Sequence, residues 1–409
     1  MPSAITPPPY APLRESKLFK PVQLGRISLQ HRVAQAPLTR MRCVKESDGI
    51  FVPGDLTLEY YTQRASKGGL QLTEATDICH YASGYPGVPG IFGGSQIKAW
   101  KKIADAVHAK GGFIFCQLWH TGRASPPSFR DGQQAFSASN IPISGKALDG
   151  TEYSDNPPKP ATEEEIASVV ECFANAARNA IEAGFDGVEI HGANGYLLDQ
   201  FLHDNVNQRT DSYGGSVENR SRFPLEVIAA VSKAIGSDRV GIRLSPYNYF
   251  QDTKDSNPVA HWSYLCEQIA ALPEELRPVY VHSVEPRFDE VLDEQAKLDA
   301  LSTYGSSQPE ITRKTAYSLD PFRQILQKGG VKFLTAGNFN RKNALPNLES
   351  DSADIIIFGR WFIANPDLPR RLADGLELNK YDRNTFYGAD PPNKGYVDYL
   401  SYRDAQHPE

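Results

Sequence analysis

Phe185-Asp-Gly-Val-Glu-Ile-His-Gly-Ala-Asn-Gly-Tyr196 joins a short strand-like run to a group of polar side chains. Its first residues alternate between polar and apolar, which predicts a β-strand. If the strand continued, His191 and Asn194 would point to opposite faces. Gly192 and Gly195 allow the chain to leave the strand, and a helical turn there would bring His191 and Asn194 to one side. The stretch therefore predicts a strand whose end carries two hydrogen-bond donors and a phenol.

Short apolar runs alternate with longer segments of helical period along the rest of the chain. The runs that we interpret as strands span residues 33–37, 70–75, 113–118, 187–191, 240–244, 279–283, 333–337 and 355–359. Helical patterns span residues 57–66, 96–109, 162–183, 224–234, 262–272, 321–327, 341–348 and 366–373. Eight strand-helix units are the number that closes a (β/α)8 barrel. The pattern predicts an α/β protein built as a single TIM barrel.

The chain divides into a short tail and one domain. We expect residues 1–16 to form a disordered tail and residues 17–409 to form a single barrel domain. Residues 18–29 predict a hairpin that closes the bottom of the barrel. Two long connections, 126–160 and 285–315, are expected to cap the active-site face, because long loops in compact domains are usually lids or binding loops.

Composition excludes several classes of partner. The formal net charge of −6 gives no general attraction for nucleic acid or an anionic membrane, and no apolar run has the length needed to cross a bilayer. The start of the chain lacks the features of a secretion signal, so we expect a cytoplasmic protein. Cysteines are scattered and odd in number, which predicts free thiols. No set of side chains has metal-ligand spacing, and His120 is expected to be a structural hydrogen-bonding group.

The polar segment at residues 191–196 continues to a second motif, Asn207-Gln-Arg-Thr-Asp-Ser-Tyr-Gly-Gly-Ser-Val-Glu-Asn-Arg220. Together they closely resemble the signature of the old yellow enzyme family of flavin-dependent ene-reductases. Other segments across nearly the whole chain are similar to the family too, among them Gln117-Leu-Trp-His-Thr-Gly-Arg123. The resemblance implies a TIM barrel that binds FMN non-covalently. NADPH or NADH would bind only transiently, since the chain has no Gly-x-Gly-x-x-Gly fingerprint.

The resemblance also implies which residues contact the flavin. They are Pro37, Thr39, Ala75, Gln117, Arg243, Gly337, Asn338, Gly359 and Arg360. A cation at Arg243, at the end of the fifth strand, would stabilise the anionic reduced flavin. Gly337 and Arg360 follow the seventh and eighth strands, where barrels build phosphate sites.

The catalytic roles follow from the same resemblance. His191 and Asn194 would hold the oxygen of an alkene conjugated to a carbonyl or nitro group. Tyr196 would donate the proton, because a phenol with a reference pKa of about 10 is protonated at neutral pH. The other residues expected to line the substrate pocket are Trp119, Phe250, Tyr304, Phe386 and Tyr387.

Three alternatives remain open at this point. Another FMN barrel, such as a hydroxy-acid oxidase or a redox enzyme of pyrimidine metabolism, is disfavoured by the His-x-x-Asn-x-Tyr spacing. A flavin-free barrel hydrolase would use Glu189 with another carboxylate, although we expect Glu189 to pair with an arginine. A flavin-binding protein without activity is the third. The expected partners are small activated alkenes and no nucleic acid or membrane, and the protein could be a monomer or a homodimer.

Overall fold

A computed structural model of the chain describes residues 8–46, 49–289, 296–297, 299–301 and 317–402. Eight strands form a barrel in this part of the chain: β1 Val33–Gln35, β2 Leu70–Leu72, β3 Phe113–Trp119, β4 Gly187–Gly192, β5 Val240–Leu244, β6 Tyr280–Val284, β7 Lys332–Ala336 and β8 Ile355–Phe358. Each strand pairs in parallel with the next, and β8 pairs with β1. The predicted (β/α)8 barrel is confirmed.

Helices connect the strands, at bounds close to those predicted. They are α1 Asp55–Arg64, α2 Gly94–Ala109, α3 Glu163–Glu182, α4 Val217–Ile235, α5 Pro258–Ala271, α6 Asp320–Lys328, α7 Ala344–Glu349 and α8 Leu368–Asp374. Short helices, Leu197–Leu202 and Arg360–Ala364, follow β4 and β8. None of the helices in the described ranges is long and apolar enough to cross a membrane.

Helix α4 begins well before the predicted start at Pro224. The helical period predicts a start at this proline, and a proline at a helix start lacks an N–H that would have no partner within the helix anyway. The helix instead begins after Ser216, whose hydroxyl oxygen accepts a hydrogen bond from the Asn219 backbone N–H at 3.3 Å. This capping contact stabilises the first turn, and Pro224 lies inside the helix.

The predicted hairpin lies at the amino ends of the barrel strands. Val22–Leu24 and Ile27–Leu29 pair antiparallel, and their buried side chains pack against residues of the barrel strands such as Leu70 and Tyr280. Arg26 in the turn contacts Asp238, just before β5, at 2.7 Å. The active-site face is therefore at the opposite end of the barrel.

Part of the amino-terminal segment contacts the barrel. The backbone N–H of Tyr10 donates to the carbonyl of Gly375 at 3.1 Å, and that of Leu13 donates to Ala373 at 3.0 Å. These bonds satisfy carbonyl groups at the end of α8 that have no partner within the helix. The disorder expected for residues 1–16 therefore does not extend over these positions.

Buried arginines hold the carboxyl-terminal segment against the barrel. Arg64 donates to the carbonyl oxygens of Tyr60, Phe362, Ile363 and Tyr396 at 2.5–3.1 Å. Its guanidinium carbon lies 3.8 Å from the centroid of the Tyr60 ring, which itself stacks on Tyr396. Arg40 and Arg42 donate in the same way to other carbonyl oxygens of the same segment. Their acceptors are the carbonyls of Thr385, Phe386, Pro392, Lys394 and Gly395. Backbone carbonyls thus replace acidic side chains as the acceptors of these arginines.

Replacing Arg64 with Met should destabilise the protein. Four buried carbonyl oxygens would lose their donor, and one hydrogen bond to a charged group is worth up to about 3 kcal/mol. We expect the free energy of unfolding in urea to fall by about 3 kcal/mol or more. Arg26→Met removes an exposed ion pair and should cost less than about 1 kcal/mol. Equal losses in the two variants would contradict this role of Arg64.

Candidate active site

A cavity of about 530 Å³ opens at the carboxyl ends of the barrel strands. Its size is typical of pockets that bind small molecules and cofactors. Most of the residues expected at the site line it: Pro37, Thr39, Ala75, Gln117, His191, Asn194, Tyr196, Arg243, Phe250, Gly337, Asn338, Gly359, Arg360, Phe386 and Tyr387. The barrel brings these residues together because all its strands run in the same direction and end at one face.

One expected pocket residue that the structure describes, Trp119, is not among the residues that line the cavity. Trp119 does not line the cavity: it is fully buried and packs behind Tyr85 and Tyr196, with ring centroids 5.6 and 4.8 Å away. The role predicted for Trp119 in the substrate pocket stays a prediction, and its indole contacts two tyrosines that line the cavity. Tyr304 lies outside the described residues.

A tight turn after β4 presents Asn194 and Tyr196. Asn194 and Gly195 have φ angles of 56° and 74°, and the N–H of Tyr196 donates to the carbonyl of Ala193 at 3.2 Å. These are features of a type I′ turn. The turn, and not the helical turn predicted from the sequence, brings His191 and Asn194 to the same cavity.

Buried side chains fix this turn from below. The backbone N–H of Asn194 donates to the hydroxyl of Ser245 at 2.8 Å, and that of Gly195 donates to the carboxylate of Asp199 at 2.8 Å. Ser245 in turn lies 3.3 Å from the same carboxylate. The turn therefore holds its conformation through backbone groups and not through the side-chain amide of Asn194. The Oδ1 of that side chain has no hydrogen-bond partner among the described residues.

His191 is a neutral imidazole in this structure. Its Nδ1 accepts a hydrogen bond from the Ala193 N–H at 3.3 Å, which leaves Nε2 to carry the proton. Burial, and then the positive charge of Arg243, lower the pKa of His191 well below its ordinary value. The neutral His191 ring can therefore donate a hydrogen bond without adding a positive charge to the site.

Glu189 lies inside the barrel and orients Gln117. Its carboxylate accepts hydrogen bonds from Gln117 Nε2 at 2.8 Å, His282 Nδ1 at 2.9 Å and the Tyr280 hydroxyl at 3.2 Å. Burial alone would raise the pKa of Glu189, but His282 and the charge of Arg243 lower it below its ordinary value. The Gln117 amide thus has its nitrogen bound and its oxygen available to the cavity. The expected direct pairing of Glu189 with an arginine is replaced by these three donors.

Tyr85 is a cavity residue that the sequence analysis missed. Its ring packs on Trp119 at 5.6 Å, and burial raises its pKa. The Tyr196 ring also meets His191 edge to face, with centroids 5.1 Å apart. No sequence pattern marks Tyr85, because it lies in an irregular connection after β2. Other missed lining residues are Leu38, Met41, Leu148, Phe288 and Arg383.

The far end of the cavity combines glycine backbone with a cation. Gly337 has a φ of 134°, and a Cβ there would lie 2.6 Å from the Cβ of Glu285, so only glycine fits. The guanidinium of Arg360 lies 5.3 Å from the Phe288 ring, and its Nη2 contacts the Asp289 carbonyl at 3.4 Å. Glycine backbone beside an arginine suits a phosphate group, and the Gln117 oxygen with Arg243 suits the polar edge of a heterocycle. The cavity therefore fits a flat heteroaromatic ring that carries a phosphate tail.

The ionisation of His191 gives a test of this site that needs no ligand. We expect the His191 ring to stay neutral between about pH 5.5 and pH 8 because burial opposes its protonation. Ring chemical shifts of histidine-labelled protein measure this, with His191→Asn to assign the signal. His108 is the matched control: its hydrogen bond with Asp186 raises its pKa, so it should titrate within this range or above. A His191 midpoint near 6.5 would contradict the assignment.

Comparison with known proteins agrees with this geometry. The chain matches the NADH:flavin oxidoreductase / NADH oxidase family over residues 17–379. It is 65% identical over 382 residues to flavin oxidoreductase hxnT of Emericella nidulans, covering 93% of this chain and 97% of the relative. It is 44% identical over 389 residues to 12-oxophytodienoate reductase 2 of Arabidopsis thaliana, covering 94% of this chain and 95% of that protein.

Solved structures of similar proteins share the fold. Morphinone reductase in complex with tetrahydroNAD superposes with a TM-score of 0.79 at 40% identity, over 96% of this chain and 99% of that one. The old yellow enzyme homologue from Zymomonas mobilis gives a TM-score of 0.81 at 35% identity, over 94% and 99% of the chains. The predicted FMN cofactor and nicotinamide hydride donor are confirmed by these matches. This chain belongs to the old yellow enzyme family of FMN-dependent, NAD(P)H-dependent oxidoreductases.

Proposed function

We propose that the protein is an ene-reductase, which reduces the C=C bond of α,β-unsaturated carbonyl or nitro compounds with NADPH or NADH as the hydride donor. The observation that carries the proposal is the meeting of His191, Asn194 and Tyr196 at one cavity. Two neutral donors and a phenol are the groups needed to polarise an oxygen and deliver a proton. The names of the related 12-oxophytodienoate and morphinone reductases support a reductase.

Residues at the two ends of the cavity would bind one FMN molecule. When bound, FMN supplies the hydride chemistry, accepting hydride from the nicotinamide and passing it to the substrate. The Gln117 oxygen can accept from a ring N–H, and Arg243 provides positive charge at the same edge. Arg360 would bind the phosphate. The remaining residues that we assign to FMN are Pro37, Thr39, Ala75, Gly337, Asn338 and Gly359.

His191 and Asn194 would bind the substrate oxygen. The Nε2–H of His191 is a donor whose direction is fixed by the Ala193 contact at Nδ1. Because the Asn194 Oδ1 has no partner among the described residues, its amide is free to turn the Nδ2 hydrogens toward a ligand. Negative charge grows on the oxygen as the alkene is reduced, so donors fixed in advance bind the transition state more strongly than the substrate.

Tyr196 would donate a proton to the α-carbon. Its place in the cavity wall is held by the edge-on contacts with Trp119 and His191. Rings packed on two sides restrict the rotamers of the phenol, which keeps the hydroxyl in one position. Phe250, Phe386 and Tyr387 would bound the space left for the substrate.

Arg360→Met should weaken the retention of FMN. The substitution removes the charge that we assign to the phosphate, while methionine keeps much of the side-chain volume. We expect at least a tenfold rise in the dissociation constant, since charge-assisted hydrogen bonds are about twice as strong as neutral ones. Fluorescence of released flavin on dilution measures it. Arg323→Met, a surface control on α6, should retain FMN, and equal retention by both variants would contradict the assignment.

Tyr196→Phe should separate the two half-reactions. A proton donor to the alkene has no part in oxidation of the nicotinamide, so stopped-flow reduction of the bound flavin should be nearly unchanged. Its reoxidation by an enone should slow by roughly 10² or more, the scale for losing a positioned general acid. With a nitroalkene, rapid reoxidation should continue and release the nitronate unprotonated. Equal slowing of both half-reactions would show instead that Tyr196 acts through packing.

A further inference from the structure

A second cavity, of about 270 Å³, lies between the connection that follows β3 and the first turns of α3. Side chains from the connection and from the helix line it, among them Arg130, Phe136, Lys159 and Glu165. It shares no lining residue with the catalytic cavity. A ligand there would therefore bind without displacing FMN or a substrate.

Arg130 brings a buried charge to this second cavity. The side chain is only 5% exposed, and its Nε and Nη1 have no hydrogen-bond partner among the described residues. The guanidinium carbon lies 6.0 Å from the centroid of the Phe136 ring. A buried guanidinium without an anionic partner is costly, because the ion loses its hydration and gains little in return.

Arg130 forms no ion pair with a carboxylate in the part of the chain that the structure describes. Asp77, Cys79 and Tyr81 are the groups that interact with its charge electrostatically. Burial raises the pKa of all three groups, which disfavours their anionic forms. The Lys159 ammonium and the Glu165 carboxylate form an ion pair, with Nζ 2.5 Å from Oε1, so their charges cancel. Among the described residues that line the second cavity, Arg130 is therefore the charged group without an ion-pair partner.

A second buried donor lies beside the same ring. Nδ1 of His120 accepts from the Gly122 N–H at 3.0 Å, so the proton of the neutral ring is on Nε2. That atom is buried and has no partner among the residues described. The His120 ring packs on Phe136, with centroids 5.1 Å apart, and on Tyr81 at 5.8 Å. His120 does not line the second cavity, so the donors without a partner that line it are those of Arg130.

We propose that this second cavity is a binding site for a small organic monocarboxylate, held by the guanidinium of Arg130 and enclosed by the rings of Tyr81 and Phe136. A planar carboxylate matches the paired donors of a guanidinium, and its single negative charge matches the single positive charge of Arg130. The two rings favour an organic body over a fully hydrated inorganic ion. A phosphate dianion would also meet the carboxylate of Glu165 at close range.

The test uses the FMN-loaded enzyme and four sodium salts at matched ionic strength: acetate, benzoate, phosphate and chloride. Calorimetric titration gives the affinity, and the flavin absorption spectrum reports any binding in the catalytic cavity. We expect acetate and benzoate to bind wild type with heat but with no change in the flavin spectrum. They should also raise its melting temperature, because a ligand stabilises the state that binds it.

Three variants test which residues of the second cavity bind the carboxylate. Arg130→Met should lower the carboxylate affinity at least about tenfold, and Arg130→Lys should have an intermediate effect because it keeps the charge without the planar pair of donors. Glu165→Gln keeps the α3 capping contact, for which glutamine also serves. It removes the negative charge, so it should tighten binding of carboxylate and of phosphate.

Several results would overturn the proposal. One is an equal response of wild type and Arg130→Met to acetate and benzoate. Others are binding of phosphate without binding of either carboxylate, and no binding of any of the salts at 50 mM, roughly the weak limit of specific binding. If Arg130→Met does not fold, the comparison of wild type with Arg130→Lys decides. None of these results depends on which substrate the catalytic cavity reduces.

Discussion

A single buried carboxylate, that of Glu189, connects strands on both sides of the catalytic cavity. It accepts hydrogen bonds from Gln117 on β3 and from Tyr280 and His282 on β6. Its strand pairs with β3 and β5 in a register that sets His191 beside Arg243. The same carboxylate thus orients the amide at one edge of the cavity and offsets the charge of the arginine nearby. A buried carboxylate is tolerated here because every donor around it is directed at its oxygens.

The groups that we propose for catalysis depend on positions that the barrel fixes elsewhere. Asn194 stands in a left-handed turn that Ser245 and Asp199 hold through backbone N–H groups. The cavity wall near Phe386 is held by Arg40, which donates to that residue's carbonyl at 3.0 Å. In both places the fixed element is backbone, so the side chains that face the cavity remain free for a ligand.

Buried arginines serve three purposes in this chain. Arg64 satisfies carbonyl oxygens of distant segments. Arg243 and Arg360 bring positive charge to the cavity in which we propose that the anionic cofactor binds. The Nε and Nη1 of Arg130 donate to no carbonyl oxygen of the described residues, and Arg130 does not line the catalytic cavity. This difference is the basis for proposing a second ligand site. The cost of burying a charge makes the partner of each arginine informative.

The sequence by itself determined the barrel and the residues at its strand ends. Strand and helix periods are local properties, and a parallel barrel must gather the ends of its strands, so Gln117, His191 and Arg243 could be expected at one face. Only the tertiary structure decided what lies between those ends. Trp119 was expected in the cavity wall, but Tyr85, which lines the cavity and packs on it, was not, because the course of an irregular connection depends on long-range contacts that no local pattern records. For the same reason the unpaired charge of Arg130 became visible only when its neighbours in space were known.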